Sequence, residues 1–233
     1  MPQTARLFTW LFAALLAPAL QAQPAYCASD GQPRPRALLE RFISADCESC
    51  WGDAATPRAQ PRELAIDWII PGQRGEDAPL SPPASRGARA RLAALRHEAP
   101  RDAEAVRTPL VAAARTLRVA HGVVVGDYVG TSIELKPAGR APWSAWLLLV
   151  ETLPAGTEGS PVERNLVRGV FQPPWDSPRA RQPPGQHLVE SRPMRVPEGA
   201  QADRLRVVAW VEDARGRIRA ISESRCLPVA GGQ

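Results

Sequence analysis

Lysine is almost absent from this 233-residue chain: Lys136 is the only one, although lysine and arginine together number 29. The net charge of +5 is therefore arginine charge. Residues such as Arg34, Arg36, Arg89, Arg91, Arg115, Arg181, Arg204 and Arg217 are spread along the sequence and interleaved with acids. A nucleic-acid surface needs clustered basic residues with exposed aromatics, so that class is set aside and the arginines read as solvated. Long apolar runs are also missing. The longest, Leu7 to Leu16, is too short for a bilayer, which takes roughly 20 residues, so no membrane span is expected after leader removal. Only three histidines occur, His97, His121 and His187, far apart in sequence. With no second CxxC and no paired histidines, a four-ligand zinc site is not expected. With two methionines, no thioether cluster supports copper either. No Gly-x-Ser-x-Gly elbow and no Gly-rich loop ending in Lys-Ser/Thr is present. No metal and no cofactor is expected.

What is present begins with a leader. Arg6, the apolar run, Pro18 and then Leu20-Gln21-Ala22 have the pattern of a secretory signal over residues 1–22, with cleavage after about Ala22. A periplasmic or secreted protein follows, in a compartment where disulfides persist. Four cysteines remain. Cys47-Glu48-Ser49-Cys50 is the minimal unit of thiol–disulfide exchange, with Cys47 as attacking thiol and Cys50 as resolving thiol. Two features oppose a reactive Cys47: Asp46 and Glu48 disfavour a second anion, and Pro57 and Pro61 cut short any following helix that would stabilise a thiolate. A structural CxxC therefore stands as the alternative. Because the CxxC closes locally, the expected pairing is Cys47–Cys50 and Cys27–Cys226. The second bridge encloses a loop worth on the order of 5 kcal/mol in the chain-entropy model.

Periodicity divides the chain near residue 116. Ala37 to Ser44 and Leu64 to Ile70 read as buried strands, the second stopped by Pro71-Gly72. Ala88, Leu92, Ala93 and Leu95 fall at helical spacing after Ser85, a possible N-cap. Ala103 to Arg115 reads as a further helix interrupted at Thr108-Pro109. Beyond 116 the pattern is β: Val119–Val125, Tyr128–Leu135, Trp143–Glu151, Asn165–Phe171, His187–Val196, Arg204–Glu212 and Gly216–Glu223, with Gly/Pro turns between them. Seven short strands suggest a sandwich. Residues 172–186 read as an exposed loop, with Trp175 the tryptophan to consider as an exposed binding residue.

The segments Leu38-Leu39-Glu40-Arg41-Phe42 and Ser44-Ala45-Asp46-Cys47-Glu48-Ser49-Cys50 resemble the opening of a family of secreted bacterial proteins. That family has a thioredoxin-like N-terminal domain, a β-sandwich C-terminal part and no established activity. Ile66-Asp67-Trp68, Asp77-Ala78-Pro79-Leu80-Ser81, Asn165-Leu166-Val167-Arg168 and Val208-Ala209-Trp210-Val211 with Gly216-Arg217-Ile218 are similar to its later segments. The resemblance implies a fold and a periplasmic setting. The expected fold class is α+β: a degenerate thioredoxin-like α/β domain at 23–115 and an antiparallel β-sandwich at 116–233. Thr108-Pro109 would then supply the cis-proline that faces the disulfide in thioredoxin-like folds. Asp67 would tune the CxxC or serve as a satisfied structural carboxylate. The expected function is thiol–disulfide exchange on a periplasmic protein substrate. The alternative is a non-catalytic secreted binding or assembly module with two structural disulfides.

Overall fold

The computed structural model describes residues 27–111, 115–139, 142–177 and 186–226. The leader expected at 1–22, Arg181 and the middle of the 172–186 segment lie outside them. Alternation and apolar runs set most of the elements. In chain order they are β1 (Cys27–Ala28), β2 (Ala37–Ser44), α1 (Glu48–Trp51), β3 (Glu63–Ile70), α2 (Arg86–Leu95), β4 (Ala103–Pro109), β5 (Thr116–Val125) and β6 (Tyr128–Lys136). β7 (Ser144–Leu153), β8 (Arg164–Phe171), β9 (Leu188–Arg195), β10 (Leu205–Glu212), β11 (Ile218–Glu223) and β12 (Arg225–Cys226) follow. Ser85 caps α2 as its sequence suggests, its Oγ accepting from the Ala88 N–H at 3.3 Å. Among the described residues no helix is long and apolar enough to cross a membrane.

Two sheets form. One runs β12-β1-β5-β6-β9, the other β11-β10-β7-β8-β3-β2-β4. Both draw strands from either side of residue 116. They face each other across a core in which Leu117, Val119, Val129 and Ile133 of the first sheet meet Leu147, Leu149, Val207 and Ala209 of the second. This is a sandwich interior, with alternate residues of each strand pointing into it.

The seven-stranded sheet also curls. β4 and β11 lie at its opposite edges, yet the N–H of Val111, just past β4, donates to the Ile218 carbonyl at 2.9 Å. The concave side holds Phe42, Trp68, Trp146 and Trp210, all buried, together with Ala88 and Leu92 of α2. Arg91 of α2 fixes the curl. Its Nε and Nη2 donate to the two Glu40 oxygens at 2.8 Å, and its Nη1 to Glu212 Oε1 at 2.6 Å. Glu40 is on β2 and Glu212 on β10, four strand positions apart and about 19 Å apart on a flat sheet. One guanidinium reaches both because the sheet bends around it. The ring of Trp146 lies 5.2 Å and that of Trp210 4.9 Å from the guanidinium carbon. Trp68 Nε1 donates to Glu40 and Trp210 Nε1 to Glu212 at 3.1 and 3.0 Å.

The expected thioredoxin-like domain is overturned by this topology. β2 and β3 are parallel, but they sit inside the seven-stranded sheet between β4 and β8. The helix that begins within the CxxC is the four-residue α1. Ala103 to Arg115, expected as a helix, contains the strand β4 instead. Its sequence AEAVRTP alternates half-buried and exposed positions, and its end pairs Pro109 with Ala37. The expectation that the arginines are all solvated also fails, since Arg41, Arg91 and Arg164 are buried. Trp175 is buried as well and joins the sandwich core.

Candidate functional site

β2 leads straight into the CxxC. The Ala45 N–H donates to Ile70 O at 2.9 Å, which carries the chain past the end of the sheet before it turns at Asp46. The Asp46 carboxylate accepts from the N–H groups of Gln73 and Arg74 at 2.6 and 3.2 Å. It also occupies the place a side chain at Gly72 would need, so glycine is required there. Cys47 and Cys50 are joined, and both are half-buried. Cys47 holds the N-cap position of α1 with no side-chain cap bond. Trp51 turns inward against Ile43, Ile69 and Leu166, and its Nε1 donates to Glu158 O at 2.8 Å.

A buried arginine holds this segment to the sheet. Arg164, at the start of β8, donates from Nη2 to Trp51 O at 2.7 Å, to Thr56 Oγ1 at 3.1 Å and to Cys50 O at 3.5 Å. Its Nε donates to Ser160 Oγ at 2.8 Å, and its guanidinium carbon lies 4.8 Å from the Trp51 ring. Arg164 Nη1 and Arg41 Nη2 both donate to Asp67, at 3.1 and 2.6 Å, and the Asn165 N–H adds a third donor at 2.7 Å. Arg41 also donates to the carbonyls of Pro57 and Glu163 at 3.2 and 3.0 Å. Its buried Nε has no acceptor among the described residues. Two guanidiniums thus share one carboxylate. Burial holds the Arg164 pKa below its ordinary value, with Arg41 adding to the effect and Asp67 opposing it. The contrast is Arg91, where burial also opposes the charge but Glu40 and Glu212 more than offset it and the pKa is raised.

A cavity of about 350 Å³ opens beside the disulfide. Arg41 and Ile43 of β2 and Ala103 and Ala105 of β4 form one wall, and Cys50, Asp53, Thr56 and Pro57 form another. Asp102, just before β4, brings a carboxylate oxygen within 4.8 Å of both Cys47 and Cys50 sulfurs. A carboxylate at that distance opposes formation of a thiolate.

The second disulfide, Cys27–Cys226, links a directly opposed pair on β1 and β12. His121 of β5 lies against it, with Nε2 4.0 Å from Cys226 Sγ and Nδ1 2.9 Å from Ser224 Oγ. Burial pushes the His121 pKa down to about 4.

Of the residues singled out in the sequence, Cys47, Cys50 and Asp67 come together here, with Asp67 joined to the CxxC through Arg164. Pro109 does not. It pairs with Ala37 at the opposite end of β2, and the cis peptide among the described residues is Lys136–Pro137. Sequence reasoning missed Arg164, Arg41 and Asp102. An acid one residue before a strand and an arginine at the start of another carry no local signal. The aspartate inside the apolar run at β3 was the available clue, because a buried carboxylate requires a buried donor.

The fold and site define a disulfide-bonded, two-sheet β protein with a helix-filled curl. No protein-family model matches the sequence, and no curated protein does. Among solved structures, chicken MD-1 complexed with lipid IVa aligns with 48% of this chain and 88% of its own, at 8% identity and a TM-score of 0.26. An overlap that loose transfers neither ligand nor role.

Proposed function

We propose that this protein is an exported, non-catalytic binding module in which both disulfides are structural. The observation that carries this reading is the Asp102 carboxylate against both CxxC sulfurs. An exchange catalyst needs an acidic thiol, and a helix N-terminus or a nearby cation supplies the acidity. Here the helix has four residues and begins with Glu48. Arg164, a buried cation beside the ring, directs its Nη2 to the carbonyls of Cys50 and Trp51 rather than to sulfur. The ring therefore reads as a clip that holds the 47–57 segment against β2 and β3. Export rests on the leader pattern at 1–22 and on a compartment that keeps such clips closed.

The test is the reduction potential of Cys47–Cys50, read by thiol alkylation and mass spectrometry across a glutathione series. A value below about −300 mV, with no turnover in an insulin-reduction assay, is expected for a structural bridge. A value above about −250 mV together with insulin reduction overturns the reading and makes Cys47 the attacking thiol.

A further inference from the structure

We propose that the free edge of β4, beside the Cys47–Cys50 ring, docks an extended basic segment of a partner protein as an added strand. This rests on the binding-module reading and names the partner's chemistry. Backbone parity carries the argument. The Ser44 N–H donates to Asp102 O and the Leu110 N–H to Arg36 O, both at 2.8 Å. In the antiparallel register of β2 with β4, even-numbered residues of β4 are therefore the hydrogen-bonded partners of β2. The N–H and C=O groups of Ala103, Ala105 and Arg107 point the other way, toward the open edge. Val111 has the same parity and shows what those groups do when a strand is available: its N–H bonds Ile218 of β11 at 2.9 Å. The curl meets β11 there, and the stretch from Ala103 to Arg107 is left unpaired among the described residues.

Natural edges are blunted by proline, lysine or bulges. The β9 edge of the other sheet fits that rule, with Pro193 between exposed Arg192 and Arg195. β4 carries its outward proline, Pro109, at one end; toward the other it has two alanines, Ala103 and Ala105, which line the cavity beside the 53–57 segment. Small residues over a cavity leave room for side chains of an incoming strand. The exposed charges lining the cavity are negative: Asp53 and Asp102 are in no ion pair among the described residues, whereas the two cations of the lining, Arg41 and Arg164, are buried and share Asp67. At the far end Arg107 is held by Glu63 at 3.2 Å. A lysine or arginine of the partner is thus placed at the Asp102 end, and a neutral residue at the Arg107 end.

The probe is a labelled, N-acetylated, C-amidated hexapeptide alternating valine and lysine, titrated by fluorescence anisotropy against the intact oxidised protein. Saturable binding with Kd below about 1 mM is expected, weakened about tenfold when glutamates replace the lysines. Two further peptides carry N-methyl groups on alternate residues, one on each parity; strand addition requires one to lose binding and the other to keep it. Ala105→Pro, which removes an outward N–H, is expected to lose binding with an unchanged melting temperature. Absence of binding to the lysine peptide overturns the proposal, as does equal binding of the two methylated peptides. Failure here with a reduction-resistant disulfide removes the docking site and leaves the binding-module reading. A readily reduced disulfide with insulin turnover removes that reading whatever the peptide does.

Discussion

Arg91 and Arg164 occupy opposite faces of the same curled sheet, both with no exposed surface, and they are treated in opposite ways. Arg91 meets two carboxylates and lies against a stacked pair of tryptophan rings, and its charge is over-neutralised. Arg164 shares one carboxylate with Arg41 and directs its remaining donors to backbone carbonyls and hydroxyls of a loop. The first arrangement closes a structure; the second ties an irregular segment next to an open cavity. A buried arginine with matched acids is an element of the fold, and one with too few acids is a fastener for something that has no strand or helix of its own.

The largest effect that could break this comparison is at Arg91. Arg91→Ala strips Glu40 and Glu212 of their shared partner inside the concave core. Breaking a buried pair costs about 3–5 kcal/mol, and two orphaned acids should place the loss at or above the upper end. Urea denaturation should show a third or more of the total stability lost, since a domain of this kind has about 5–15 kcal/mol in total. Arg164→Ala should cost less, roughly 3 kcal/mol, because Asp67 keeps Arg41 and the Asn165 N–H. The same variant should make Cys47–Cys50 easier to reduce, as the carbonyls of Cys50 and Trp51 lose their donor. Equal losses at the two arginines, read in parallel denaturant titrations, would end the distinction.

The smallest effect sharpens it by showing a titration that neither arginine supplies. His121 has a folded pKa of about 4, below its ordinary value of 6.5, because burial disfavours the cation. The unfolded chain therefore binds the proton first. The stability contributed by neutral His121 is complete above about pH 6.5 and is lost as pH falls toward 4, roughly 2–3 kcal/mol in all. Denaturation midpoints measured between pH 7 and 4 should show this fall, and His121→Gln should flatten it. A wild-type slope that survives in His121→Gln would assign the effect elsewhere.

Much of the strand pattern was legible. Leu205, Val207, Ala209 and Val211 alternate, and β10 forms with those residues on the sandwich side. The cap at Ser85 was legible for the same reason, since it depends on a few neighbouring residues. The sheet order was not. A strand running into a CxxC suggests a thioredoxin-like start, but nothing local says that β3 will pair with β8, about a hundred residues later. Arg91 read as solvated because the arginines are spread along the chain and interleaved with acids; only the curl brings two acids and two indoles to that one position. At the site, Cys47, Cys50 and Asp67 were visible as residue types. Asp102 was not, because its meaning depends on which edge β4 occupies, and β4 was expected to be a helix.

The bridge between β1 and β12 has a mechanical consequence. Cys27 and Cys226 are 199 residues apart in sequence and directly opposed in space. The intervening chain, roughly 700 Å if fully extended, is a covalent ring. A pull applied to the segments outside that ring is carried by one sulfur–sulfur bond, and the curl, the sandwich and the β4 edge bear none of the load.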